Sequence, residues 1–415
     1  MSLLSRVGAF IRQDKGGVAV MFAIAAVPLI LAAGAAIDYS RVVAAKGKVE
    51  AAADAAVLAA TNSQSASKSV DEARRMGLDV FTTLTQGIGG AQITGVSLDI
   101  SEQGLTRSAR IRYSLQVPTT LTAVVGIQSM QAQGVAVASQ TRAPYLDVYL
   151  VLDNSPSMGL GATTRDINLM TARLGCAFAC HEGTRDDMYV QAKKIGALTR
   201  IESLRMATQQ LIAVAGQTVA GPNQLRMAAY SFGLATNRPG LTQIFGLTSN
   251  LDLARARTNA FDLMLNVSPD LGSPIQKILR AANQVIPSAG DGFRPDAPQK
   301  VLFFVSDGVA DERGAESCWQ SLHDSGRCEQ PVDPSICDAM KARGIKIAAL
   351  YTTYLPLPGN EFYENQIRPF QNLIGPRMQA CASPGLYAEV NPSQSLTDTM
   401  IELFKQSVKT TRLTQ

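Results

Sequence analysis

The chain predicts an α/β protein in three parts: an N-terminal transmembrane helix with a helical stalk, a small antiparallel β layer, and a doubly wound, mostly parallel sheet. Three observations carry this. From residue 143 onward, strand-like apolar runs alternate with helix-length segments, the pattern of βαβ units. Residues 91–142 alternate polar and apolar side chains, as half-buried strands do. Gly16 to Ile37 gives 22 residues without a charge, enough to span a bilayer as a helix.

The front end divides into a short N-terminus at 1–15, the span at 16–37 and a stalk at 38–90. Pro28 lies mid-span, which membrane helices tolerate. A cleaved signal peptide is the competing reading, with Ala33-Gly34-Ala35 as its cleavage motif. The apolar run is long for a signal peptide, which favours a retained anchor. Arg6, Arg12 and Lys15 precede the span while Arg41, Lys46 and Lys48 follow it, so charge alone does not orient it. The cysteines do. All 6 lie beyond residue 175, on one side of the span, and an even set suits an oxidising compartment. The expectation is a single-pass protein with its N-terminus cytoplasmic and its main domain outside the cytoplasm.

Ala51 to Ala60 is alanine-rich and a good helix former. It reads either as a spine whose small side chains admit a close helix neighbour or as an ordinary juxtamembrane stalk. Ser63–Ser69 breaks the pattern, and a second helix is expected from Val70 to Thr85. In the β-rich connecting domain at 91–142, Val96, Leu98 and Ile100, then Ile111, Tyr113, Leu115 and Val117, then Val135 and Val137, mark three or more antiparallel strands.

In the last domain, 143–415, strands are expected at Val148–Leu152, Arg226–Phe232, Lys300–Ser306, Ile345–Tyr351 and Gly385–Val390. Helices are expected at Ile201–Ala215, Ser273–Val285, Ser335–Arg343, Phe362–Gln379 and Leu396–Val408. Two strand ends are acidic. One runs into Asp153-Asn154-Ser155-Pro156-Ser157, the other into Asp307-Gly308. Ligands of open α/β sheets bind outside the carboxyl ends of the strands. A carboxylate and two hydroxyls on alternate residues of a tight loop can face one hard cation, which prefers oxygen ligands.

Here the chain resembles a von Willebrand factor A domain over residues 143–410. That resemblance implies a metal-ion-dependent adhesion site built from three loops. Asp153, Ser155 and Ser157 match the first loop, Ser273 in Gly272-Ser273-Pro274 stands where the second has Thr, and Asp307 matches the third. Two departures stand out: Ser273 lacks the methyl that restricts a Thr rotamer, and Pro156 replaces the usual Gly. The implied ion is Mg²⁺, or Mn²⁺ or Ca²⁺, with one position open for an acidic side chain of a protein partner. The alternative is a metal-free domain in which Asp307 caps a turn and Ser155 or Ser157 caps a helix.

The flanks of the span carry a second resemblance. Asp14 to Ala23, Ala33 to Arg41 and Ala51 to Ala60 are similar to TadE/TadG-like proteins of the tight-adherence (Flp) pilus machinery. The larger type in that group joins such an anchor to a von Willebrand A domain. Pilin-type processing needs a Glu where Met21 (or Phe22) stands, so the likeness does not extend to prepilin cleavage.

An insertion at 159–198 is expected to reach the rim of the metal loops. It holds Cys176-Ala177-Phe178-Ala179-Cys180-His181, one residue longer than the c-type haem attachment signature. A short disulfide loop explains those cysteines without a cofactor, and haem is the lesser alternative. With only 2 histidines, His181 and His323, a zinc site has little to draw on. The pairing adopted is Cys176–Cys180, Cys318–Cys328 and Cys337–Cys381. Arg165, Asp166, Arg185, Asp186 and Asp187 read as solvated loop residues with a possible part in partner choice. Trp319, the only Trp, is either an exposed binding anchor or a buried loop stabiliser.

A net charge of +4 without a basic run gives no sign of nucleic-acid binding. Neither histidine has a nucleophile beside it in sequence and no phosphate-cradling glycine loop appears, so no enzyme is expected. The function expected is a membrane-anchored, metal-dependent recognition component of a Tad/Flp-type pilus system: assembly factor, minor pilus component or adhesin. Its partners would be other pilus-assembly or pilin-like membrane proteins and an acidic protein ligand. A structural anchor with a metal-free A domain is the alternative.

Overall fold

Small, uncharged side chains and good helix formers run past the polar residues Asp38–Arg41, and in the computed structural model they form one helix, α1 (Gly17–Thr61). The structure describes residues 17–66, 68–88, 90–141, 143–177, 187–218, 223–235, 238–265, 272–315, 317–320, 322, 326–356 and 359–413. It divides into two compact units, Met1–Arg142 and Ala143–Gln415.

In the first unit, α1 changes character along its length. Val18, Phe22, Ile24 and Ile30 are exposed, whereas Val42, Ala45, Val49, Ala53, Ala56, Val57 and Ala60 are buried. That second stretch repeats every three or four residues, one face of a helix. Among the described residues α1 is the one helix long and apolar enough to cross a membrane. A single turn at Ser63–Ala66 leads to α2 (Val70–Thr85), opened by a capping box in which Ser69 and Glu72 satisfy each other's backbone donors. Gly77 lets α2 approach closely: a Cβ there would lie 2.6 Å from Leu98 Cδ2 and 3.0 Å from the Ala56 carbonyl.

Strands β1 (Gln92–Gln103), β2 (Thr106–Pro118) and β3 (Ser129–Thr141) form an antiparallel sheet in that order. Leu98, Ile111, Leu115, Val117 and Ala136 face the helices. In β3 the small Ala136 is the buried residue and Val135 and Val137 point outward. Arg107, buried, fixes the turn at residues 63–69: its guanidinium donates to the Ser65 carbonyl at 2.6 Å and the Lys68 carbonyl at 2.8 Å.

The second unit holds a six-stranded sheet. Its strands are β4 (Leu146–Leu152), β5 (Leu225–Gly233), β6 (Pro239–Thr248), β7 (Gln299–Ser306), β10 (Lys346–Thr352) and β11 (Tyr387–Val390), ordered β11-β10-β7-β4-β5-β6. All pairs are parallel except β5 with β6. Counted along the chain, the order is 3-2-1-4-5-6, doubly wound, with its switch point between β4 and β7. Both strands are apolar throughout their middle because helices cover both faces. One layer sets α5 (Arg200–Thr218) and α10 (Leu396–Leu413) against Leu150, Phe303 and Leu350. The other sets α7 (Ile275–Val285), α8 (Pro334–Lys341) and α9 (Gln371–Cys381) against Val151, Phe304 and Ile347.

Several elements differ from the sequence reading. The insertion is not one loop: it contains α3 (Thr164–Leu174) and α4 (Met188–Lys194), too short to stand out by periodicity. A bridge between Gly161 and Thr199 closes its base. The segment 362–379 is not one helix either. It turns through Tyr363–Ile367 and Arg368–Phe370, where Pro369 cannot donate, before α9 begins. Edge strand β6 and the ribbon β8 (Val309–Arg313)–β9 (Arg327–Pro331) are additions, as is α6 (Leu251–Arg257). Cys318 bonds Cys328 and Cys337 bonds Cys381, closing loops of 10 and 44 residues. Limiting the unfolded chain in this way contributes about 3 and about 4 kcal/mol respectively. Cys176 is disulfide-bonded. Cys180, and with it the expected Cys176–Cys180 pair, lies outside the described residues, as do His181 and His323.

Candidate metal centre

Strands β4 and β7 are neighbours in register, Leu152 opposite Val305, so their carboxyl ends deliver Asp153 and Asp307 to one place. The Asp153 N–H extends the ladder by one bond, donating to the Val305 carbonyl at 3.0 Å. The chain then turns sharply. Asp153 Oδ1 accepts the Ser155 N–H at 2.9 Å, and Ser155 precedes a 3₁₀ turn at Pro156–Gly159. Pro156 opens that turn at a position where its fixed φ is suited and its missing N–H costs nothing. Asn154 pins the loop from behind, its side-chain amide donating to the carbonyls of Gly233 and Asp262 at 3.0 Å each and its backbone carbonyl accepting the Met264 N–H at 2.8 Å.

The hydroxyls of Ser155 and Ser157 lie 3.1 Å apart, and Ser157 also hydrogen-bonds Asp307. Ser306 donates to Asp153 Oδ2 at 2.7 Å. Asp307 Oδ1 accepts the Val309 N–H at 3.2 Å, while Oδ2 is buried without a hydrogen-bond partner. Asp153, Ser155, Ser306 and Asp307 are all buried. Burial raises the Asp153 carboxyl to about 7, aided by repulsion from Asp307. Burial likewise raises Asp307, against the Ser157 hydrogen bond and the nearby Arg200 guanidinium. Two carboxylates withdrawn from water beside one another, with hydroxyls between, make a site that a cation would relieve.

Ser273 stands apart from this group. It is buried at the start of α7, where its carbonyl accepts the Asp311 N–H at 2.9 Å, and among the described residues its hydroxyl makes no hydrogen bond with the cluster. Gly272 permits that contact, since a Cβ would meet the Asp311 carbonyl oxygen at 2.1 Å. Leu271 lies outside the described residues. Among the described residues no group of three or more His, Cys, Asp or Glu could hold a metal. The donor set is therefore two carboxylates and hydroxyls, which suits Mg²⁺: it binds through one or two carboxylates and keeps several waters.

Three members of the neighbourhood were not named as site residues from the sequence. Ser306 adjoins Asp307, and its place at a strand end was the available signal. Asn154 lies inside the first loop. Arg200, buried at the head of α5, donates to the Thr353 carbonyl at 2.7 Å and interacts favourably with Asp307 and Asp153. Nothing in sequence links it to the first loop across the insertion.

The insertion's charges also differ from expectation. Asp166 and Asp187 are buried rather than solvated: Asp166 accepts the Leu198 N–H at 3.2 Å, and Asp187 caps α4 through the Tyr189 N–H at 2.7 Å. Arg165 is exposed. Arg185 and Asp186 lie outside the described residues. In strand β8, just after Asp307, Asp311 pairs with Arg327 at 2.7 Å across the ribbon, and Glu312 accepts the Gln276 N–H at 2.9 Å. Trp319 is exposed.

Strand order, the antiparallel edge strand and acidic strand ends at the switch point are those of the von Willebrand A-like fold expected of the second unit, in a chain with a long apolar N-terminal helix. Residues 16–67 match the family model described as "Tad: Putative Flp pilus-assembly TadE/G-like", so the front of the chain is TadE/G-like. Among solved structures, the chain is similar to the vWF domain of the type V pili tip protein Mfa5 from Porphyromonas gingivalis, with 11% identity and a TM-score of 0.38, over 65% of this chain and 96% of that one. A structure of three N-terminal domains of the same tip protein matches at 11% identity and a TM-score of 0.25, over 65% of this chain and 35% of that one. No curated protein matches the chain.

Proposed function

We propose that this is a membrane-anchored component of a Tad/Flp-type pilus system that recognises a partner carboxylate through a divalent cation. The cation would be held by Asp153, Ser155, Ser157 and Asp307, with Ser273 joining when the ion is bound. The observation that carries the reading is Asp307 Oδ2, a buried carboxylate oxygen without a partner beside a second raised carboxylate. A bound cation supplies positive charge to both and presents an open position to an acidic side chain. A hard ion favours carboxylate oxygen over softer groups. The protein's own part is to hold the two carboxylates dry and in register, and no bond-making chemistry is required of it.

The anchor would be α1 in a bacterial inner membrane, with the A-like domain on the periplasmic side or carried outward in the pilus. Partners would be pilin-like or pilus-assembly membrane proteins, in line with the TadE/G-like match of residues 16–67. The test is complementation of a strain lacking the gene with wild type or Asp153→Ala. Loss of pilus assembly or attachment, with the variant protein present at wild-type level, supports the reading. Full function in the variant contradicts it.

One observation favours a second reading, a structural anchor whose A-like domain works without metal. The Arg200 guanidinium already offsets part of the charge of Asp307. On that reading Arg200→Ala destabilises the domain irrespective of Mg²⁺. On the first, Mg²⁺ restores the variant.

A further inference from the structure

In the first unit, exposed apolar side chains are not confined to the span. The β2–β3 connection, 119–128, carries a 3₁₀ turn at Thr122–Val125. Val124 there is 83% exposed and Val125 53%, with Leu121 and Ile127 exposed beside them. Single surface apolar residues are ordinary, but such a concentration in one short connection marks a contact surface. No charged residue lies between Arg112 and Arg142.

The place of the connection along α1 says what meets it. Asp38 accepts the backbone N–H groups of Thr120, Leu121 and Thr122. A Cβ at Gly34 would lie 2.9 Å from Leu121 Cβ. From Gly17 to Ile30 every residue of α1 but Ala26 is exposed, whereas Gly34 and Asp38 are buried. The connection therefore lies against the last turn of the uncharged run that ends at Ile37. At 1.5 Å per residue that run is about 33 Å long, close to the hydrocarbon thickness, and Gly34 is about 5 Å from its end. Interfacial segments bury their apolar side chains to a similar depth, about 5–10 Å.

The polar groups at this level are arranged as an apolar phase demands. Backbone N–H groups entering it must be satisfied within the protein. Besides the three on Asp38, Thr119 donates to the Gln128 carbonyl at 3.0 Å, Gly126 to Ala123 at 3.0 Å and Ile127 to Thr122 at 3.2 Å. Asp38 is itself buried, so its charge is hidden from the surroundings. Just beyond the run, Tyr39 and Arg41 are exposed, as interfacial anchors are.

We infer that the β2–β3 connection enters the bilayer leaflet nearest the sheet, its Val124 and Val125 among the upper acyl chains, so that the first unit holds the membrane at two points. This rests on α1 being the anchor. An anchored α1 brings the bilayer itself to the level of Gly34, which makes lipid rather than a second protein the occupant.

Trp319 is the sole Trp, so Trp319→Phe removes the native emission and one reporter at a time can be added to that background. The reporters are Val124→Trp in the connection, Ile24→Trp in the span and Ser139→Trp at the far end of β3. Each full chain is reconstituted into vesicles of phosphatidylcholine and phosphatidylglycerol. Emission is compared with that in vesicles whose phosphatidylcholine is brominated near the headgroup end or near the tips of its chains. The expected result is a blue shift and loss of emission for Val124→Trp, the loss greater with bromine near the headgroups. Ile24→Trp should also be quenched and Ser139→Trp should not. Quenching of Ile24→Trp without Val124→Trp overturns the inference and leaves the anchor standing. A blue-shifted Val124→Trp that bromine does not quench also overturns it, assigning the connection to a protein contact. Quenching at neither position overturns the anchor reading and the inference with it.

Discussion

Two buried carboxylate settings, one in each unit, meet burial in opposite ways. Asp38 of α1 accepts the backbone N–H groups of Thr120, Leu121 and Thr122 at 3.0, 2.9 and 2.8 Å, and the Thr122 hydroxyl at 3.0 Å. Its charge is fully met by the β2–β3 connection, which it holds against the helix. Asp153 and Asp307 each receive fewer donors, repel one another, and leave one oxygen without a partner. The first arrangement is complete and reads as structure. The second is incomplete and reads as a place for something else. What separates them is whether the surrounding chain supplies enough donors, not the depth of burial.

The widest separation between the two settings should come from adding metal. Mg²⁺ at about one hundred times its dissociation constant should stabilise the A-like unit by about 3 kcal/mol. Calorimetric unfolding of the full chain in detergent should show this for wild type and not for Asp307→Asn. An unfolding step that is indifferent to Mg²⁺ in wild type would put the two carboxylate settings in the same class.

A sharper contrast follows in EDTA, where removing each acid should have opposite signs. Asp38→Ala strands three N–H groups and should lower the unfolding temperature of the first unit. Asp307→Asn removes a poorly satisfied buried charge and should raise the stability of the second by about 1–2 kcal/mol. Destabilisation by both would break the comparison.

The same logic gives a pH dependence. Burial raises the Asp153 carboxyl to about 7 and raises Asp307 too, so the folded, metal-free unit holds more protons than the unfolded chain does. This contribution is fully present below the ordinary carboxylate range, about pH 4. It is lost as pH rises through about 7. Unfolding temperature in EDTA should therefore fall across that window, and saturating Mg²⁺ should flatten the fall. A rise with pH in EDTA would contradict the assignment.

The smallest effect is expected at Ser273. Its hydroxyl stands outside the hydrogen-bonded cluster, so Ser273→Ala should weaken Mn²⁺ binding by about tenfold at most. A loss as large as that of Asp153→Ala would make it a principal ligand.

How far the sequence carries depends on how local each feature is. Asp153, Ser155, Ser157 and Asp307 were legible because each follows a strand whose unbroken apolar run marks it as central, and such strands end at the switch point. The helix break and the start of α2 were legible from the serine-rich run Ser63–Ser69, and the capping box of Ser69 and Glu72 accounts for the start in the structure. Ribbon strand β8 was not, since Val-Ala-Asp-Glu-Arg carries three charges and no alternation, and 13 residues of sequence separate Arg313 from Arg327 of its partner β9. Edge strand β6 contains Pro239 and two glycines and pairs irregularly, which dilutes any period-2 signal. Arg200 was hidden for a different reason: its role depends on which strand ends the fold brings beside α5, a purely tertiary fact.

The central claim is that Asp153 and Asp307 form a cation site. Calorimetric titration of Mn²⁺ into the full chain in detergent, beside Asp153→Ala, tests it most directly. The account predicts saturable binding in wild type, weakened about a hundredfold or more in the variant. A folded wild-type protein that takes up no Mn²⁺ at millimolar concentration, or a variant that binds equally well, would contradict it.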